Sequence, residues 1–190
     1  MAQHHDLFPG SHPTNDADIC VVTADETFRS EEVSVKRAIG ELLYTVRELL
    51  RLDVVFVGEI VEGRRVFRHI DTVLSPAPIE AGGSHPLHDT LCQRILEGRL
   101  PAVIPDVRAI AASEGLPPEY GVLGAHIGVP VRLPGGRLYG MLCGFNLGGD
   151  CALSARDVRR LEIAAASAAR LIARSEGSGG RQFPSDPTLV

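Results

Sequence analysis

No run of about 18 apolar residues occurs anywhere in the 190-residue chain, so no membrane-spanning helix is expected. Basic charge is scarce too: 19 Lys and Arg face 24 Asp and Glu, for a formal net charge of −5, and Lys36 is the only lysine. That leaves no basic face to neutralise phosphates, which excludes nucleic acid as a direct partner. The four cysteines, Cys20, Cys92, Cys143 and Cys151, include no CxxC pair. Their spacing argues against a structural zinc site or a thioredoxin-type motif, and in a reducing cytoplasm they read as free thiols acting as small hydrophobes. No Ser-His-Asp order, HExxH run or pair of catalytic carboxylates can be assembled. Gly135-Gly136 leads into a strand and not a helix, so it is no phosphate loop. An enzyme is therefore the minority reading, and no catalytic residue is assigned.

What is present suits one soluble domain with a real core, since 190 residues with 44% apolar content are too few for two comfortable ones. Residues 1–29 are rich in His, Pro, Asp and Thr and read as mostly flexible, with a short strand or docking patch at 19–22. They carry no charged-then-apolar signal pattern, so a cytoplasmic location is the default. Residues 175–190, with several Gly and Pro, read as a flexible tail. The folded unit is then 30–174.

Within it, Ser30 before Glu31 and Glu32 is a helix start, followed by Val35, Ile39, Leu42, Val46 and Leu49 at spacings of four and three, widened by Val33, Leu43 and Leu50. Residues 53–61 and 64–71 are β-rich runs joined by Glu62-Gly63, a hairpin signal. A second helix is expected over 84–97, closed by Gly98, then a short strand at 102–104 and a weak helical turn at 107–113. A long hairpin follows. Its first strand ends in Val129-Pro130-Val131-Arg132-Leu133, its turn is Pro134-Gly135-Gly136, and its return strand runs from Leu138 to Phe145. Gly140 and Gly144 within that strand mark a bulge, a crowded backbone or a ligand passing close. Ser154 can cap a last helix carrying Val158, Leu161, Ala165, Ala168 and Ile172 on one side.

Three runs carry a resemblance to a known family: Leu100-Pro101-Ala102-Val103-Ile104-Pro105-Asp106-Val107, Gly124-Ala125-His126-Ile127-Gly128-Val129-Pro130-Val131, and Gly136-Arg137-Leu138-Tyr139-Gly140-Met141-Leu142-Cys143. With the order of elements, they make the chain resemble a GAF domain of the bacterial sensor type, and more distantly the phytochromes, over residues 33–172. The resemblance implies an α+β fold, GAF-like and PAS-related. An antiparallel sheet carries the terminal helices on one face and a small-molecule cavity on the other, with dimerisation through those helices. The cofactor is unknown. The Asn-Lys-x-Asp/Phe-type motif of cyclic-nucleotide-binding members is missing, and Cys92 is followed by Gln93 where bilin-binding members place a His.

Candidate ligand contacts are Phe67, His69, Cys92, Asp106, His126 and Cys143. Strand parity puts Phe67 and His69 on one face. His126 lies in an apolar strand where it could meet an acidic ligand, ligate haem iron or serve as a structural hydrogen-bonding residue. Asp106 is either a rim ligand or the cap of the turn that follows. His85, His88 and Cys92 would share one face of a helix over 84–97 as metal-type side chains, although core packing explains Cys92 as well, and no metal site is assigned. Cys92 on a helix and Cys143 on a strand look misplaced for an exchanging thiol pair. These readings favour a cytoplasmic, homodimeric sensor or regulatory domain that binds a small-molecule ligand and passes its signal through the terminal helices to a separate protein. The alternatives are a redox enzyme of the free methionine sulfoxide reductase type and a haem or chromophore sensor.

Overall fold

The computed structural model describes residues 24–148 and 152–179; the expectations for residues 1–23, 149–151 and 180–190, including Cys20 and Cys151, lie outside them. Two long helices, α1 (Ala24–Leu50) and α4 (Ala155–Gly179), pack against each other and on one face of a sheet. The sheet holds β1 (Val54–Val61), β2 (Arg64–Thr72), β3 (Ser84–Pro86), β4 (Val103–Ile104), β5 (Leu123–Arg132) and β6 (Leu138–Leu147). Its order is β3-β2-β1-β6-β5-β4, with every neighbouring pair antiparallel. Short helices α2 (Leu91–Leu96) and α3 (Arg108–Ala111) and two 3-10 turns lie among the connections. No helix among the described residues is long and apolar enough to cross a membrane.

Helix α1 starts ahead of Ser30 and buries Val35, Ile39, Leu43, Val46 and Leu50, while Leu49 is 54% exposed. A strict seven-residue alternation selects Leu42 and Leu49, but 3.6 residues per turn rotate the stripe onto Leu43 and Leu50. Helix α4 begins after Ser154, where the Ser154 Oγ and backbone N–H both donate to Asp157 Oδ2, at 2.7 and 2.9 Å. The carboxylate thereby closes the first turn and is held below its ordinary pKa mainly by the Ser154 hydroxyl. Its buried face, Leu161, Ala164, Ala165, Ala168, Ala169 and Ile172, is small enough for close approach to α1 and the sheet.

Both hairpin turns follow from local chemistry. Glu62 and Gly63 both have positive φ, 50° and 71°, the two-residue turn that matches strand twist. In the second hairpin the Gly136 N–H donates to the Leu133 carbonyl at 2.9 Å, with Pro134 at the first corner and Gly135 at φ 93°.

The second helix departs from expectation. Residues 84–86 pair with β2, residues 87–89 form a 3-10 turn, and α2 begins only at Leu91. Pro86 has no N–H and sits extended at ψ 132°, while Thr90 accepts from the Gln93 N–H as the cap. His85, His88 and Cys92 thus fall on three different elements, with His88 exposed beside Asp89.

The glycines of β6 answer to the protein and not to a ligand. A Cβ on Gly140 would stand 1.9 Å from the Gly58 carbonyl oxygen of β1, and one on Gly144 would stand 2.6 Å from Leu52 Cδ1. Gly140→Ala is therefore expected to force apart the central β1–β6 pair and cost on the order of 3 kcal/mol. Gly40→Ala, in α1 with no atom within 4 Å of its added methyl, is expected to gain roughly 0.5–1 kcal/mol. Urea unfolding of both variants checks the pair, and a tolerated Gly140→Ala would refute the crowding argument.

Candidate functional site

The sheet alternates its side chains between two cores. Val55 and Val57 of β1 face the long helices, whereas Val54 and Phe56 face a second apolar cluster with α2, α3 and the loops. That second face encloses a cavity of about 390 Å³. Phe56, Phe67, Leu91 and Phe145 supply apolar wall, residues 78–79 and the 3-10 turn Pro118–Val122 supply the sides, and Arg65, His85, Tyr120 and His126 supply the polar groups. The exposed Glu119 stands among the lining residues.

Arg65 alternates with Phe67 on β2, so both point to this face. It is 5% exposed, and its guanidinium lies 4.4 Å from the centre of the Phe67 ring and 5.4 Å from that of Phe56. Nη2 lies 3.1 Å from His85 Nδ1. An arginine only donates, so Nδ1 accepts and His85 is the neutral Nε2–H tautomer. Burial and the Arg65 charge both lower the His85 pKa, which agrees. Nη1 stands 3.8 Å from Cys92 Sγ, and Nε has no protein partner.

Two further buried polar atoms of lining residues have no hydrogen-bond partner in the protein, His126 Nδ1 and Tyr120 Oη, the latter close to Arg65. Burial pushes the Tyr120 hydroxyl up, against the pull of Arg65, and pushes His126 down to about 3, helped by the same cation. His126 is therefore neutral at physiological pH.

Beneath the wall, Cys92 and Cys143 are wholly buried with their sulfurs 3.8 Å apart. Cys92 stands on a helix and Cys143 on a strand, as expected, and that placement nonetheless brings the sulfurs together because the start of α2 lies against the β5–β6 pair. A hydrogen bond from Cys143 brings Cys92 down to about 6 despite burial, with Arg65 adding to the effect, and the Cys143 thiol is pushed up in turn.

The other candidates separate. Phe67 and His126 line the cavity. His69 does not share the face of Phe67: the ladder pairs Phe67 with Gly58 and His69 with Val57, so Arg68 is a bulge that reverses parity, and His69 turns to the α1 side near Lys36. Asp106 is exposed and away from the cavity wall, where its Oδ1 accepts from the Arg108 N–H at 3.2 Å and Nε at 2.8 Å. Among the described residues no three metal-type side chains converge. Arg65 and Tyr120 were missed, although the two-residue spacing of Arg65 and Phe67 on a strand was a usable signal.

A family model described as GAF domain matches residues 32–173. No curated protein matches the chain. Among solved structures it is similar to the GAF domain of an Acinetobacter phosphoenolpyruvate-protein phosphotransferase, at 16% identity over 81% of this chain and 92% of that one, TM-score 0.62. It is similar to the chromophore-binding domain of a bacteriophytochrome from R. palustris, at 19% identity over 82% of this chain and 62% of that one, TM-score 0.57. It also resembles the phycoerythrobilin-bound GAF domain of a cyanobacterial phytochrome, at 15% identity over 83% and 98% of the two chains, TM-score 0.58. At these identities the likeness is one of fold.

The buried, neutral His126 makes an acid prediction. Between its ordinary 6.5 and about 3 the unfolded chain binds a proton that the folded chain does not. Stability therefore rises with pH across that window, by at most about 1.4 kcal/mol per pH unit from this group. Urea midpoints from pH 7 to pH 4 are expected to fall less steeply in His126→Gln than in the parent, and equal slopes would overturn the assignment.

Proposed function

We propose, since this chain belongs to the GAF domain family, that it is a sensor domain whose small-molecule ligand occupies the cavity on the sheet face opposite α1 and α4. The observation that carries this reading is a largely apolar cavity of about 390 Å³ whose lining residues Arg65, Tyr120 and His126 each bury a polar atom without a protein hydrogen-bond partner. Apolar walls with a few convergent polar groups are the usual make-up of a ligand site. Signalling is a population shift: strands β1 and β6 are shared by both cores, so a ligand that prefers one wall geometry favours one packing of the long helices. Exposed Val33 on α1 and Ile163 on α4 are suited to a second copy of the chain in a homodimer, and a separate cytoplasmic protein is the expected recipient of the signal.

The neutral apolar dye N-phenyl-1-naphthylamine is expected to bind and brighten in the parent protein and to lose that signal in Leu123→Trp, which fills the cavity from its wall. Sedimentation is expected to give a dimer that Ile163→Glu dissociates. A dye signal unchanged by Leu123→Trp would remove the cavity as the site, and a monomer throughout would remove the helix-pair mechanism.

A second reading, a thiol redox centre, is favoured by one observation, the 3.8 Å approach of Cys92 to Cys143 beside Arg65. An oxygen from a peroxide or a sulfoxide would pass to Cys92 as a sulfenic acid, leaving water or the thioether. The Cys143 thiol would then displace water to form the disulfide. Absorbance at 240 nm is expected to show one thiol titrating at about 6, rising in Arg65→Met because the cation favouring the thiolate is gone. Methionine sulfoxide is expected to yield one methionine per chain. No methionine, with no loss of two hydrogens after peroxide, would refute this reading.

A further inference from the structure

Three arginines are buried in this domain, and they are compensated differently. Arg47 donates to the Asp71 carboxylate and lies 2.9 Å from Glu48. Arg94 donates to the carbonyls of His88 and Thr90 at 3.0 Å each and of Glu114 at 2.8 Å. Arg65 meets no carboxylate or carbonyl oxygen: its contacts are two aromatic faces, an imidazole nitrogen, a sulfur and the nearby Tyr120 hydroxyl, and its Nε–H has no hydrogen-bond partner. Aromatic faces and a neutral imidazole soften the burial of a cation without neutralising it, and the one group able to offer negative charge, Cys92 Sγ, does so at Nη1 from 3.8 Å and leaves Nε–H unmet. A guanidinium at low exposure without a carboxylate is costly unless something anionic meets it.

The rest of the wall says what kind of anion. Tyr120 and His126, whose Oη and Nδ1 are buried without a protein acceptor, can each turn a hydrogen toward an acceptor-only group. Arg65 is the single cation among the lining residues, and Glu119 adds a negative charge. That balance suits one negative charge and disfavours a phosphate dianion. Most of the remaining wall is apolar, and a cavity of about 390 Å³ is of the size that takes a small organic molecule.

Resting on the reading of this cavity as the ligand site, we propose that the ligand is a small organic monocarboxylate with an aromatic or branched aliphatic body. Its carboxylate hydrogen-bonds to the Arg65 guanidinium, and its body lies among Phe56, Phe67, Leu91 and Phe145. The hydrogen bond is charge-assisted at both ends and formed out of bulk water, where it discriminates strongly against an uncharged isostere.

Benzoate, phenylacetate and indole-3-acetate, each beside its primary amide, are titrated against the full chain loaded with N-phenyl-1-naphthylamine. At least one carboxylate is expected to displace the dye at a concentration about tenfold or more below that of its amide, a difference of about 1.4 kcal/mol. Arg65→Met, its fold checked by circular dichroism, is expected to bind the amides as before and to lose the preference. Equal displacement by carboxylates and amides would overturn the anion assignment while leaving the cavity reading intact, as would a folded Arg65→Met that keeps the preference. A chain that binds neither the dye nor any of the six compounds would end both. Should Arg65→Met fail to fold, the ratio of carboxylate to amide in the parent protein decides by itself.

Discussion

The guanidinium of Arg65 is the constraint around which the cavity is arranged. A permanent charge at 5% exposure cannot shed its proton to escape the cost of burial, as a lysine could, so its surroundings must accommodate a cation at every pH. Phe67 lies under the guanidinium, Phe56 beside it, and His85 is held in one tautomer at Nη2. The same charge acts on Cys92, Tyr120 and His126, favouring the anionic form of the first two and opposing the cationic form of the third. Four titratable groups are thus set, in part, by one side chain.

The sheet carries this arrangement and separates it from the helices. In the register of β1 with β6, Phe56 stands opposite Cys143 and Val57 opposite Leu142, one pair turned to the cavity and the next to the helical core. Adjacent residues of one strand therefore belong to different cores, and a shift of the strand moves both. The close passage of Gly140 against the Gly58 carbonyl keeps the pair tight at its centre. Arg47 adds a link on the helix side, since it joins α1 to Asp71 at the far end of β2; burial opposes its charge, but the hydrogen bonds and charges of Asp71 and Glu48 together outweigh that. A displacement of β2 at Arg65 has a direct route to the first helix.

The layers were legible from sequence because their signals are local. Glu62-Gly63 and Pro134-Gly135-Gly136 specify their turns within a few residues, and the apolar stripes of α1 and α4 need only helical periodicity. What was not legible depends on partners distant in sequence. The bulge at Arg68 exists only in the pairing of β2 with β1, and a single unpaired residue was enough to send His69 to the wrong face for a ligand contact. Cys92 and Cys143 are 51 positions apart, and their approach follows from where α2 lands on the sheet. The helix expected over 84–97 is confined to 91–96 because Pro86, with its extended backbone and missing N–H, makes residues 84–86 a strand end. His126 was found because a histidine in an apolar strand is conspicuous, whereas Arg65 was passed over beside a hairpin turn, where arginines are ordinary.

The thiol pair and the anion site are not independent. A Cys92 thiolate on Nη1 and a carboxylate at the same guanidinium would draw on one positive charge, and each would repel the other across a few ångströms of low-dielectric interior. By linkage the penalty is reciprocal: a bound anion raises the Cys92 pKa by the same free energy with which the thiolate weakens the anion. Converting the two thiols to a disulfide would remove the competing charge and leave Arg65 with only the ligand as counter-ion. The two readings of this cavity, as a ligand site and as a redox centre, are therefore two states of one charge balance. The wall that favours an anion is the wall that activates a thiol.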